Sequence, residues 1–568
     1  MGKSTWIDIR ASLDDLVLQE HHQPYELLST ITNPNAQTPQ MILMVGAGHK
    51  TVAIQKLRSG IPRTSHYGGD IHLSVDPQTI SWQSPVLFAD CELHTAKSFK
   101  TVVAGRVSGN IARRSLTWRR RMPQGLSVEP GDVSNLVYTQ LMLPFSTLIC
   151  LFADDLEGLE GVARLLAAWL VNLVNCPSDL PRNTHPRIVI LRRVSNSAPI
   201  DELALMCRFL SMLIREAERR VGPVVERRQG VIDTSMLFFY FGDIRILTLP
   251  ETHSTLQQWE YLRTRILAES ECVFTKRLEA KFAFSATHFK QLFSFACDHF
   301  CTDVLAPFNF IRATRRASPV PGNMAVHLSE FISQVNSERL NTFAIRLHTF
   351  AVPAIASALV LDAFPPEMHD VFNELYKHIC LGIYNPRRSK NTNEEAFDSI
   401  QLTNSIEHQF CQTATSIAHG KTTAVAAHQS SLCNSRETWA SLRSTKTCFS
   451  CLARQPEHVC SSRCRHAICD TCLVIHGEST PNSPWTITLK TCPLCCIGVR
   501  KIIRRKPPTA GVRAIIADGR GLRGASWLID KLKELKSALN LDTPILDHFD
   551  LSVGSDFGKP MQYDGKTC

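Results

Sequence analysis

Near the C-terminus, seven cysteines and one histidine stand at a spacing suited to metal binding. They follow the pattern Cys448-x2-Cys451-x12-Cys464-x-His466-x2-Cys469-x2-Cys472-x19-Cys492-x2-Cys495. Zn²⁺ prefers four thiolate or imidazole ligands in a tetrahedron, and a C-x2-C pair lets two thiolates from one tight turn reach the same ion. The eight ligands therefore predict two zinc ions. The alternative is a cluster of buried structural cysteines, but buried thiols need no fixed spacing.

This spacing resembles that of a RING-type zinc finger. The resemblance implies an interleaved pairing, in which the first and third ligand pairs bind one ion and the second and fourth pairs bind the other. The first ion would take Cys448, Cys451, Cys469 and Cys472, and the second would take Cys464, His466, Cys492 and Cys495. It also implies a protein partner bound through the finger, with a ubiquitin-conjugating enzyme as one candidate.

A ubiquitin ligase of this type binds the conjugating enzyme in a shallow apolar groove between its zinc loops. It usually carries Ile or Val just before the second ligand, and often Trp a few residues after the sixth. Ser450 and His476 stand at those positions here, while Leu452 and Pro493 do fit the pattern. Losing a central apolar contact costs about 1–2 kcal/mol of a weak interface. The sequence therefore favours a binding module, with a ubiquitin ligase as the alternative.

A second motif lies beyond the finger, where a strand pattern at 511–517 precedes a glycine-rich turn and a helical pattern. The turn is Asp518-Gly519-Arg520-Gly521-Leu522-Arg523-Gly524. Backbone N–H groups at such a helix start can hold an anion or an oxyanion. This turn and the following segment 548–554 resemble the opening of patatin-like phospholipases, and the order of finger and turn resembles fungal proteins that join the two. The resemblance implies a lipid acyl substrate and an oxyanion hole at Gly519, Arg520, Gly521, Leu522, Arg523 and Gly524.

The nucleophile of that family departs from its pattern in this chain. The family places a serine at the centre of Gly-x-Ser-x-Gly, where it performs acyl transfer with a later aspartate. The corresponding segment is Gly554-Ser555-Asp556-Phe557-Gly558, so Asp556 stands at the serine position. The ten residues after Gly558 contain no counterpart of the family's downstream aspartate. We therefore expect a truncated, catalytically impaired domain with no assigned catalytic residue, and keep an active lipid acyl hydrolase as an alternative.

The N-terminal part predicts a parallel α/β domain. Apolar strands at 41–45, 85–90, 148–154 and 188–191 alternate with helical patterns, as in sheets covered on both faces. The first turn resembles a damaged phosphate-binding loop, because the gap between its glycines has collapsed. Asp90, after the second strand, resembles the metal-side motif of GTPases. The residues of this degenerate loop are Gly46, Gly48, Lys50, Thr51 and Asp90. We favour a P-loop-like fold that no longer binds nucleotide over a nucleotide switch.

The chain of 568 residues is long enough for several domains. The predicted fold class is multidomain α/β plus α. The predicted segments are an N-terminal segment 1–37, a P-loop-like domain 38–250, a helical domain 251–440, a RING-type finger 441–500, a basic linker 501–510 and a partial patatin-like domain 511–568.

Composition limits the compartment and the partners. Nine of the twenty cysteines lie between Cys448 and Cys496 and the others are scattered, which favours a reducing, intracellular compartment, cytoplasmic or nuclear. We expect no membrane span, because the longest uncharged apolar run, 136–153, is short and contains polar residues. The net charge of +10 comes partly from arginines at 113–121 and from basic residues at 500–506. The favoured interpretation of both clusters is a solvated loop and linker, so we do not expect nucleic acid as a partner.

Overall fold

The computed structural model describes residues 5–12, 15–57, 70–93, 99, 101, 110–121, 129–194, 201–227, 231–250, 255–336, 343–363, 370–383, 399–480, 483–505, 511–512, 514–519, 521–538 and 551–556. The chain divides into two compact units, one of residues 1–434 with 451–454 and one of residues 435–450 with 455–568. It is a mixed α/β protein with a large mixed sheet and many helices. None of the described helices is long and apolar enough to cross a membrane.

A nine-stranded sheet forms the centre of the first unit. Its strands are β1 Thr5–Ala11, β2 Leu16–His21, β3 Gln40–Val45, β4 Ile71–Val75, β5 Val86–Cys91, β6 Ile111–Ser115, β7 Leu148–Phe152, β8 Arg187–Val194 and β9 Asp243–Pro250. Across the sheet they follow the order β6-β2-β1-β4-β5-β3-β7-β8-β9. The central strand β3 therefore lies between β5 and β7.

The half of the sheet from β5 to β9 is parallel. It contains the four strands predicted from the sequence, with β9 added at the edge. β3, β5 and β7 are buried along their whole length, as expected for strands that are covered on both faces. The predicted parallel arrangement is confirmed for these strands.

The other half, from β4 to β6, is antiparallel. The sheet is thus mixed, and the parallel prediction does not extend to this half. Antiparallel neighbours such as β1 and β2 need only a short connection, whereas parallel strands need a crossover. The edge strand β6 exposes or half-exposes every side chain, so it lacks the apolar run from which buried strands are predicted.

Sixteen helices of the first unit lie within its described residues. They are α1 Gln23–Ser29, α2 Gly48–Leu57, α3 Pro130–Leu136, α4 Gly158–Asn175, α5 Glu202–Arg227, α6 Thr234–Phe241, α7 Thr255–Glu279, α8 Ala286–Thr302, α9 Phe310–Thr314, α10 Met324–Val335, α11 Phe343–Arg346, α12 Val352–Asp362, α13 Val371–Leu375, α14 Lys377–Leu381, α15 Ser399–Ala418 and α16 Ala424–Asn434. The helical patterns predicted at 162–173 and 203–213 lie in α4 and α5. The described residues from 255 to 440 contain helices and no strand, as predicted.

Helix α7 begins the helical part of the first unit and packs against the nine-stranded sheet. It contacts β3, β7, β8 and β9. Leu262 and Ile266 of α7 are fully buried in a core cluster with apolar side chains of those strands and of α2, among them Ile42, Leu148 and Val189. Apolar burial of this kind is the main stabilising contribution to a sheet and its covering helices.

The second unit begins with α17, Arg436–Trp439. Its other elements are β10 His458–Val459, β11 Ala467–Ile468, α18 Asp470–His476, β12 Glu478–Thr480, β13 Ser483–Thr491, β14 Gly498–Arg504, β15 Ala514–Gly519, α19 Gly521–Ala538 and β16 Leu551–Asp556. They form a hairpin of β10 and β11, an antiparallel sheet of β12, β13 and β14, and a parallel pair of β15 and β16.

Several residues of the two basic clusters are internal partners of acids. Arg114 lies 2.8 Å from Glu20 and 2.6 Å from Asp298, with its side chain only 16% exposed. In the second cluster, β14 extends through Arg504, and Arg505 forms a two-oxygen contact with Asp470 at 2.9 and 2.6 Å. Arg114 and Arg505 therefore stabilise the fold through ion pairs and are not available to bind an external anion.

Candidate functional site

The first group of predicted metal ligands, Cys448, Cys451, Cys469 and Cys472, comes together in the structure. The sulfur atoms of Cys448, Cys451, Cys469 and Cys472 lie within 4.8 Å of one another, and all four residues are buried. Helix α18 begins directly after Cys469. The backbone N–H of Cys469 donates to the sulfur of Cys448 at 3.2 Å, and that of Cys472 donates to the sulfur of Cys469 at 3.5 Å. Such N–H donors favour the thiolate form that a metal ion requires.

The second group consists of Cys464, His466, Cys492 and Cys495, again within 4.8 Å of one another. The Nδ1 atom of His466 lies 3.4 Å from the sulfur of Cys492, so this nitrogen faces the thiols. Burial raises the pKa of the Cys495 thiol to about 12. The Cys495 thiol thus needs a bound cation to become a thiolate at neutral pH, as in metal sites that release protons on binding.

The other ring nitrogen of His466 is held by a residue that precedes the finger pattern. Nε2 lies 2.9 Å from the carbonyl oxygen of Trp439, and Arg443 Nη1 lies 2.8 Å from the same nitrogen. A bare Nδ1 that faces the thiols requires the proton on Nε2, so we assign the Trp439 carbonyl as its acceptor. Metal-binding histidines are commonly oriented by such an N–H donation. Nothing in the ligand spacing pointed to Trp439, which is fully buried.

The eight predicted ligands thus fall into the two interleaved groups implied by the sequence resemblance. One set of four thiols and one set of three thiols with an imidazole are compatible with zinc ions, because thiolates and imidazoles are the donors that Zn²⁺ prefers. Both sets could hold a metal ion. The buried thiols have no role in packing that would require them to meet in fours.

A third cluster, Glu457, His458 and Asp470, also brings acidic and imidazole groups within 4.8 Å. The carboxylate of Asp470 in this cluster already has partners within the protein. Arg505 donates to both oxygens of Asp470 and lowers the pKa of that carboxyl, with His458 Nε2 at 3.3 Å. The Asp470 carboxylate of this cluster is therefore paired with Arg505 of the same chain.

The two residues that depart from the groove pattern of ubiquitin ligases contact each other. Ser450 Oγ and His476 Nε2 are 2.9 Å apart, and Ser450 is fully buried. Burial lowers the pKa of His476 to about 4, so its ring is neutral at physiological pH. These positions therefore form a buried polar pair and do not supply the apolar contacts of such a groove.

The predicted turn after the finger lies between β15 and α19. Gly519 ends the strand, Gly521 starts the helix, and Arg520 lies outside the described residues. Leu522, Arg523 and Gly524 belong to the first helical turn, whose backbone N–H groups have no partner within the helix. The nucleophile position, Asp556, ends β16 and pairs in register with Gly519. Both positions therefore lie at the same edge of the parallel pair, while Phe557 and Gly558 lie outside the described residues.

The predicted degenerate phosphate loop joins β3 to α2, and an aspartate from elsewhere fills it. The backbone N–H groups of Ala47, His49 and Lys50 donate to the carboxylate of Asp155 at 2.8, 2.9 and 2.9 Å. Nδ1 of His49 lies 2.8 Å from the same carboxylate. Burial raises the pKa of Asp155, but these hydrogen bonds outweigh it and hold the pKa below its ordinary value.

The lysine of this loop points away from the turn. Lys50 is fully buried, and its Nζ lies 2.8 Å from Asp90 Oδ1, 3.1 Å from the carbonyl oxygen of Cys91 and 3.8 Å from Glu92. Thr51 Oγ1 donates to the carbonyl of Ala47 at 2.8 Å. The side chains predicted to contact phosphate or metal are thus occupied by internal partners.

Sequence reasoning did not identify Asp155 as part of this region. It was visible only as an acid that follows an apolar strand. Its role depends on β7 being the neighbour of β3, since the carboxyl ends of parallel neighbours meet at one edge of the sheet.

Comparison with known proteins adds no relative: no protein-family model matches this chain, and a search of curated proteins gives no match.

Proposed function

We propose that this chain is a zinc-binding protein with a RING-type finger fused to a patatin-like unit, and that it acts as a binding or scaffold protein. The two groups of four ligands, of which all but Cys495 are buried, carry the proposal. Their donor types and interleaved order are what a two-zinc finger requires, and the buried thiolates that such sites need are stable in a reducing compartment inside the cell.

We propose that the finger binds a protein partner through its surface. Large apolar side chains are exposed on the described part of the second unit, and exposed apolar patches commonly mark interaction sites. They include Val459, Val474, Trp485, Ile497 and Ile502. The buried Ser450–His476 pair argues against a conjugating enzyme as that partner, and so against ubiquitin ligase activity.

The patatin-like unit is proposed to be catalytically impaired. Asp556 at the nucleophile position is a carboxylate, which repels a developing oxyanion and would need a general base to activate water. The helix start after β15 retains backbone donors that could hold an anion. An oxyanion hole without a nucleophile binds but does not cleave an ester.

The metal content of the full chain tests the proposal. Elemental analysis should give two Zn²⁺ per chain, and Cys469→Ser and Cys495→Ser should each lose one. The serine hydroxyl can replace the Cys469 sulfur as the acceptor that caps the helix, so that variant tests the ligand and not the cap. Cys496→Ser is the matched control, because Cys496 is exposed and adjoins Cys495 without belonging to either group. Zero or one zinc in the wild type would refute the two-zinc finger.

Ubiquitin transfer is the second measurement. With a panel of conjugating enzymes the full chain should show weak or absent self-ubiquitylation. Robust chain formation that disappears in Cys448→Ser would make the ligase alternative correct.

A further inference from the structure

The turn after β3 has the features of an anion-binding site, and the anion is supplied by the protein itself. Three backbone N–H groups converge on Asp155 at the start of the ten-residue helix α2. A helix start carries a partial positive charge and free N–H donors, which favour a negatively charged group. The Asp155 side chain is only 5% exposed, so it is seated in the turn and does not merely border it.

The turn after β3 lies at the edge of the sheet where open α/β sheets normally bind a ligand. β3 is flanked by β5 on one side and β7 on the other, so the chain reverses its direction of winding at β3. Ligands of such sheets bind outside the carboxyl ends of the strands at this point. Asp155 reaches the turn from the short helical turn Ala153–Asp155 that follows β7.

Gly46, which precedes α2, lies very close to the Asp155 carboxylate. A Cβ atom added to Gly46 would lie 2.7 Å from Asp155 Oδ2 and 3.0 Å from the Cβ of Phe152. The same addition at Gly48 would meet Asp155 Oδ1 at 3.9 Å, an ordinary contact. The Asp155 carboxylate is thus the nearest of three groups around Gly46, with the Cβ atoms of Phe152 and Lys50 at 3.0 and 3.2 Å.

We infer that the turn after β3 is a self-occupied anion site, in which the Asp155 carboxylate takes the position of a ligand's oxyanion and keeps external phosphates and carboxylates out. This contact is autoinhibitory, since the donors are intact and only their occupant is internal. Lys50 reinforces it, because its ammonium group is buried against Asp90 and is not available to a phosphate in the turn.

The inference predicts that removing the Asp155 side chain opens the site to small oxyanions. The probes are inorganic phosphate and acetate at constant ionic strength, with chloride as the reference salt, and the protein is the full chain. The variant is Asp155→Ala. The matched control is Asp154→Ala, because Asp154 lies in the same turn but accepts the backbone N–H of Arg193, outside the loop.

Thermal unfolding and ³¹P NMR are the two measurements. The unfolding temperature of Asp155→Ala should be lower than that of the wild type in chloride. It should rise with phosphate or acetate concentration, as expected for an anion that binds the folded state. Phosphate line broadening should appear with Asp155→Ala and not with the wild type or Asp154→Ala. An unfolding temperature of Asp155→Ala that no oxyanion changes, or a wild type that binds phosphate equally well, would overturn the inference.

A second pair of variants decides the matter if Asp155→Ala does not fold. Asp155→Asn keeps the shape and one acceptor oxygen but loses the charge, and Asp154→Asn is its control. The inference predicts a clear drop in unfolding temperature for Asp155→Asn only. Equal temperatures for the two variants would show that no anion is needed in the turn.

Discussion

The buried pair of Lys50 and Asp90 gives the sharpest stability prediction for the first unit. Both side chains are essentially inaccessible, at 0% and 1% exposure, and Nζ lies 2.8 Å from Oδ1. Lys50→Met removes the positive charge but keeps most of the side-chain volume. It leaves the carboxylate of Asp90 without its cation in the interior.

Removing one partner of a buried ion pair typically costs about 3–5 kcal/mol. This is a large part of the roughly 5–15 kcal/mol by which folded proteins are stable. At a urea dependence of about 3 kcal/mol per molar, the unfolding midpoint should fall by about 1–2 M. The carbonyl of Cys91 also loses the hydrogen bond from Lys50, although it keeps the one from the backbone N–H of Gly46 at 3.3 Å.

Urea unfolding of the full chain, followed by tryptophan fluorescence, measures this effect. Lys56→Met is the matched control, because Lys56 lies on the same helix and is exposed. The double variant Lys50→Met/Asp90→Asn should be more stable than the sum of the two single losses predicts, since neither charge is then left alone. A midpoint for Lys50→Met equal to that of Lys56→Met would refute a structural role for the pair.

Three further predictions concern the loop and the patatin-like unit. Gly46→Ala should destabilise the chain by about 1–3 kcal/mol through the contact with the carboxylate, while Gly48→Ala should be close to neutral in the same urea assay. The pKa of Asp155 is lowered in the folded state, so its stabilising contribution should be full above the unfolded pKa of about 3.9 and lost as pH falls through the folded pKa. The stability difference between wild type and Asp155→Asn should therefore shrink with acidification, and a difference that grows would contradict the assignment. The wild-type chain should neither hydrolyse p-nitrophenyl esters nor be labelled by a fluorophosphonate at Ser555, and Asp556→Ser should not restore hydrolysis. Ester turnover that disappears in Asp556→Ala would make that aspartate a nucleophile.

The sequence by itself determined the features that depend on neighbours along the chain. The four buried strands of the parallel half follow from apolar runs of strand length, and the helices α4 and α5 follow from apolar residues three and four apart. The eight metal ligands follow from short spacings, because a C-x2-C step positions two sulfurs through one turn whatever surrounds it. Their interleaved grouping came from the resemblance and agrees with the geometry.

Tertiary structure alone decided the features that depend on contacts between distant segments. The antiparallel half of the sheet pairs segments as far apart as β2 and β6, and no local pattern fixes such partners. Trp439 reaches His466 across 27 positions, and Asp155 reaches the turn after β3 across more than 100. The sequence could only predict that this turn resembles an altered phosphate-binding loop. The packing of β7 beside β3 shows that a carboxylate occupies the turn, because hydrogen bonds depend on distance in space and not along the chain.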